Sequence, residues 1–179
     1  MKTLKTYILV AALLVISNIV FGQTVIKQYS GGKRGAVLNP ARAMGKDLSQ
    51  HSSLKLLADA SEKAYLYQNF VFSSKADKGS KVTFVVQTDK KCELNVLNMK
   101  LFTLLNNENK ADTLATEEIQ IAKINEAHNL YEFSFYTNEN FDTAGIMIYG
   151  GGAFQTVKIY KVYLAAANEN DLGFVTAKK

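Results

Sequence analysis

From residue 52 onward, apolar and polar residues of this chain alternate with a period of two, in runs separated by polar or glycine-containing breaks. That period belongs to strands, whose successive side chains leave the sheet on opposite faces. The runs cover residues 52–58, 64–73, 81–88, 92–105, 117–124, 130–137, 144–150 and 154–166. Connectors such as KADKGSK and TNENFDTAG carry the Asp, Asn, Gly and Ser that tight turns need, whereas NNENKADTLAT is longer. Eight runs joined by short turns predict an all-β chain built as an antiparallel two-sheet β-sandwich.

Two stretches sharpen that picture. Between residues 106 and 128 the Ala, Glu and Lys content suits a helix, while Ile119 and Ile121 alternate with Gln120 and Ala122 as a strand requires. Flanking strands that need a partner favour the strand over 117–124, and the helix stays the rival. In AYLYQNFVF the alternation is strict: with Leu66, Gln68, Phe70 and Phe72 turned into a core, Tyr65, Tyr67 and Asn69 must face out. The same logic turns Glu132, Tyr136, Met147 and Tyr149 outward on later strands.

The chain start reads as a secretory signal peptide over residues 1–22. Lys2 and Lys5 precede an apolar run from Tyr7 to Ile16, and small or apolar residues at Val20 and Gly22 mark a cleavage site. The run is shorter than the roughly 20 residues a membrane span needs, and no later segment qualifies, so no span is expected in the mature chain. Residues 23–51 form an N-terminal lead-in with one strand-like run, TVIKQY. They also hold a helical turn capped by Asn39, with Pro40 at its first position. Residues 52–167 make one domain, and 168–179 a polar C-terminal tail.

Composition then narrows the chemistry. The only cysteine, Cys92, has no disulfide partner, so packing and hydrogen bonds must hold an exported fold together. The formal net charge of +5 drops to +3 when Lys2 and Lys5 leave with the leader. The basic residues that remain are scattered, without the concentrated stripe that nucleic-acid binding calls for. His51 and His128 belong to no cluster with metal-ligand spacing, and no residue set spells a catalytic motif. The expectation is a protein that is not an enzyme and has no metal among its site residues.

The order of these pieces, a short SLKL strand, YLYQNF, GSKVTFVVQT, LYEFSFYT, AGIMIYGGG and a closing VKIYKVYLA, resembles the jelly-roll carbohydrate-binding modules of the galactose-binding-domain-like class. The resemblance implies a jelly roll whose interior is lined by Leu66, Phe70, Val82, Phe84, Val86, Tyr131, Phe133, Phe135, Ile146 and Ile148. Val157, Ile159, Val162 and Leu164 join them, and the change of phase between Ile159 and Val162 demands a bulge. Gln68 takes the family's inward glutamine position. Left unpaired it would cost about 1–3 kcal/mol, so it is expected to brace backbone rather than ligand. The structural calcium of such modules has no support here, since the place of its aspartate falls near Tyr160; no other cofactor is expected.

The resemblance also implies a function. The expected partner is a polysaccharide or glycan, bound on an exposed sheet face or rim loops by Tyr65, Tyr67, Asn69, Glu132, Tyr136 and Tyr149. With no tryptophan in the chain, tyrosine rings must supply the surface on which the apolar face of a sugar packs. The alternative is a structural or protein-interaction module of a bacterial surface assembly, with a surface protein as partner. Either would be exported to the periplasm, cell surface or medium.

Overall fold

The computed structural model describes residues 24–44, 48–57, 64–89, 99–106, 108–113, 119–150 and 155–165. The leader at 1–22, Cys92, the glycines at 151 and 152 and the tail at 168–179 lie outside them.

Eleven strands occur among the described residues: β1 Val25–Lys33, β2 Gly35–Leu38, β3 Ser52–Leu56, β4 Ala64–Ala76, β5 Lys81–Thr88, β6 Met99–Leu105, β7 Glu108–Thr113, β8 Gln120–Asn125, β9 Leu130–Tyr136, β10 Phe141–Gly150 and β11 Gln155–Ala165. They assemble into a five-stranded sheet ordered β1-β4-β10-β6-β7 and a six-stranded sheet ordered β2-β3-β11-β5-β9-β8. Every pairing is antiparallel. The chain crosses repeatedly between the sheets, and among the described strands only β2–β3, β6–β7 and β8–β9 pair with their neighbour in sequence. This is the jelly-roll sandwich that strict alternation allows, each sheet turning one face inward.

The interior follows the alternation. Leu66, Phe70, Val82, Phe84, Val86, Tyr131, Phe133, Phe135, Ile146, Ile148, Val157, Ile159, Val162 and Leu164 are all buried in one core. Phe70 and Phe84 meet edge to face across it, with ring centroids 6.1 Å apart. The register of β11 against β5 shifts between Ile159 and Lys161, which is the bulge required to keep both halves of β11 turned inward. Gln68 lies fully buried among these side chains. Its amide nitrogen donates to the Pro40 carbonyl at 2.8 Å, and its oxygen accepts from the Ser52 hydroxyl at 2.6 Å.

The structure differs from the pattern reading in three places. The lead-in segment supplies β1 to one sheet and β2 to the other, and Pro40–Met44 closes as a short 3₁₀ turn. Among the described residues of 106–128 the favoured strand is present as β8, and what the pattern did not give is β7 before it and the short 3₁₀ turn at Glu126–His128 after it. Ile121 stands opposite Phe133, but β8 is an edge strand and Ile121 remains 38% exposed, whereas Ile119 is buried.

Candidate functional site

The outer face of the five-stranded sheet gathers the tyrosines. Strand register sets out three rows across it. Lys33, Tyr65 and Tyr149 are opposite one another on β1, β4 and β10; Gly31, Tyr67, Met147 and Lys100 make the next row, with β6 added; Tyr29, Asn69, Gly145 and Phe102 make the third. Tyr65, Tyr67, Asn69, Met147, Tyr149 and Phe102 are half-buried, while Tyr29, Lys33 and Lys100 are exposed.

Two glycines in this grid are occupied by neighbouring side chains. A Cβ on Gly31 would lie 2.8 Å from the Tyr67 hydroxyl oxygen, so the Tyr67 ring lies across β1 where a larger residue would lift it. A Cβ on Gly145 would come within 2.2 Å of the Phe102 ring and 2.7 Å of Asn69 Oδ1, so both side chains close over that position. Asn69 Oδ1 is buried there and accepts no hydrogen bond. Above this floor, the Lys100 ammonium sits 5.3 Å from the Tyr149 ring centroid and the Lys27 ammonium 4.7 Å from that of Tyr29. Contacts of this kind contribute about 0.5–1 kcal/mol at exposed sites.

Of the six residues expected to meet a ligand, Tyr65, Tyr67, Asn69 and Tyr149 share this surface. Glu132 and Tyr136 do not, because β9 joins β5 and β8 in the six-stranded sheet and turns both residues to the opposite side of the molecule. There Glu132 Oε1 accepts the Tyr163 hydroxyl at 3.1 Å, and the Lys81 ammonium lies 5.6 Å over the Tyr136 ring. Burial raises the Tyr163 phenol above its usual pKa, the Glu132 charge and hydrogen bond add to this, and a bond to Thr83 opposes it. A single six-residue platform is therefore corrected to two separate groups.

The six-stranded face also carries a cleft that pattern reading did not reveal. It has a volume of about 340 Å³ and is lined by Leu48, Gln87, Asn125, His128, Leu130 and Tyr160. Gln87 organises it. Its amide oxygen accepts from the Tyr160 hydroxyl at 2.8 Å and from Lys158 Nζ at 3.2 Å, and its nitrogen donates to the His128 carbonyl at 2.8 Å. His51 packs on Tyr160 with ring centroids 5.1 Å apart. Burial, then the Lys158 and Arg42 charges, hold the His51 imidazole below its usual pKa; burial raises the Tyr160 phenol. The one sequence signal was the phase change before Val162, since the bulge presents Tyr160 outward. Nothing in the spacing of His51 and His128 indicates that His51 packs on Tyr160 while His128 lines the same cleft as that tyrosine. Among the described residues no group of three or more His, Cys, Asp and Glu side chains is placed to hold a metal ion.

No family model matches the chain, and no curated protein matches it. Solved structures do. The third CBM32 module of a family 31 glycoside hydrolase from Clostridium perfringens superposes with a TM-score of 0.51 at 13% identity, over 82% of this chain and 95% of that one. A family 32 module from C. perfringens in complex with galactose aligns at a TM-score of 0.45 and 8% identity, over 80% and 96%. A family 29 carbohydrate-binding module from Piromyces equi aligns at 0.43 and 14%, over 83% and 87%. The first of these shows that the two chains share the β-sandwich fold.

Proposed function

We propose that this chain is an exported, non-catalytic carbohydrate-binding protein whose site is the tyrosine face of the five-stranded sheet. One observation carries the reading: register sets Tyr65 against Tyr149 and Tyr67 against Met147 on a single outward surface. Aromatic rings on a sheet offer flat apolar area for the C–H face of a pyranose, while phenol hydroxyls at their rims take directed hydrogen bonds. The sandwich is shared with a carbohydrate-binding module, which supports the reading at the level of fold. Export rests on the leader pattern of residues 1–22, with residues 52–167 as the domain core; among the described residues no helix is long and apolar enough to cross a membrane.

The test is a binding screen of the purified protein against neutral, acidic and amino-sugar polysaccharides, with and without calcium, beside a Tyr65→Ala/Tyr67→Ala variant of verified fold. Binding by the native chain that disappears in the variant supports the reading. Binding that the variant retains moves the site elsewhere, with the Tyr160 cleft the next place to mutate. Absence of any glycan binding overturns the reading in favour of a protein-interaction module.

A further inference from the structure

Resting on the reading of the tyrosine face as a glycan platform, we propose that its ligand is an acidic polysaccharide built from uronic-acid residues. Three outward lysines, Lys27, Lys33 and Lys100, are exposed on this face, and no described residue that the register turns outward beside them is Asp or Glu. The opposite face is mixed in sign: Glu132 lies there among Lys81, Lys158 and Lys161. The two faces carry lysines alike, and among the described residues the tyrosine face differs in having no outward carboxylate beside them.

The spacing says what kind of anion fits. Lys33 on β1 and Lys100 on β6 are separated by three inter-strand steps across the sheet and two residues along it, roughly 16 Å, with the tyrosines between them. No single carboxylate or phosphate spans that distance, so a complementary ligand repeats its charge along an extended chain. A uronic acid carries its carboxylate at the edge of the ring and leaves a C–H face free to stack. Sulfate esters place bulkier groups about the ring and fit such a floor less well.

The lysines also act on the rings themselves. The Lys100 ammonium covers the Tyr149 ring and the Lys27 ammonium that of Tyr29. A neutral sugar that stacks on Tyr149 must displace the ammonium into water and gives it no partner. A uronate accepts the ammonium at the ring edge as it leaves the face, so uncovering the ring and pairing the charge happen together. Exposed charges of this kind are screened within about 8 Å at physiological ionic strength, which makes the preference sensitive to salt.

The experiment compares binding of the purified protein to polygalacturonate, to its fully methyl-esterified counterpart and to dextran sulfate. The expected result is a preference of about tenfold for the acid over the ester in dilute buffer, the scale of a few exposed charge contacts. That preference fades between about 0.05 and 0.5 M salt. A Lys33→Gln/Lys100→Gln variant should lose the preference by weakening binding of the acid, while the ester binds it no more weakly than it binds the native chain because the Tyr149 ring is uncovered. Equal affinity for acid and ester, abolished by Tyr65→Ala/Tyr67→Ala, overturns the acidic ligand and leaves the glycan platform standing. Tighter binding of dextran sulfate than of polygalacturonate, or an acid preference that survives the lysine substitutions, also overturns the proposal. Failure to bind any polysaccharide, neutral or acidic, overturns both readings.

Discussion

Replacing Gln68 with leucine would test whether a buried amide ties the lead-in segment to the sandwich. The side chain is fully buried, accepts from Ser52 Oγ at 2.6 Å and donates to the Pro40 carbonyl at 2.8 Å. Leucine fills similar space but offers neither group. The Ser52 hydroxyl is itself fully buried and loses this acceptor, a loss of about 1–3 kcal/mol for an unsatisfied group. The Pro40 carbonyl belongs to a half-buried residue that water can approach, so its loss is smaller, and the added apolar burial of leucine offsets part of the total. The net expectation is a destabilisation of about 2 kcal/mol, which lowers a urea midpoint by about 1 M when m is about 2 kcal/mol/M. Adding Ser52→Ala should recover about 1 kcal/mol or more, because removing both partners leaves no orphaned hydroxyl. Urea unfolding of the native chain, both single variants and the double variant gives the coupling directly. A Gln68→Leu change within about 0.5 kcal/mol of native, or strictly additive single effects, would refute the reasoning.

Asn69 makes the opposite case. Its Oδ1 is buried without a hydrogen-bond partner, so Asn69→Leu should leave thermal stability unchanged or raise it by up to about 1–3 kcal/mol, and a fall in melting temperature would show that the oxygen is satisfied in solution. His51 predicts a pH dependence. Its folded-state pKa is depressed below 6.5 by burial and by Lys158 and Arg42, so the unfolded chain binds the proton more readily. The corresponding stability is present above about pH 6.5 and is lost as pH falls through the folded-state value. Melting curves between pH 7.5 and pH 4.5 should show a loss on acidification that His51→Phe reduces; an identical pH profile in the variant would count against it.

Much of this fold was legible as pattern because alternation is a property of the strand itself. Lys81–Thr88 matches its predicted run, and the fourteen interior positions that the jelly-roll resemblance implied are buried, in keeping with a residue's face depending on its parity along the strand. The bulge in β11 was legible for the same reason: two apolar sets out of phase cannot both face inward without an extra residue between them. The first half of β1 was legible in TVIKQY, but its Gly-containing second half and the Asn-, Lys- and Asp-rich β7 do not announce themselves, and pairing with β4 and β6 supplies what local propensity lacks.

What alternation determined by itself was that Tyr65, Tyr67, Asn69, Glu132, Tyr136 and Tyr149 all turn away from the core. Which of them meet was decided only by tertiary structure. Outward residues of both sheets look alike in sequence, yet the two outer faces lie on opposite sides of a packed interior. The chain-wide pairing that places β10 beside β4 and β9 beside β5 joins four of these side chains and separates the other two. Sheet membership depends on contacts between residues far apart along the chain, and a period of two carries no record of them.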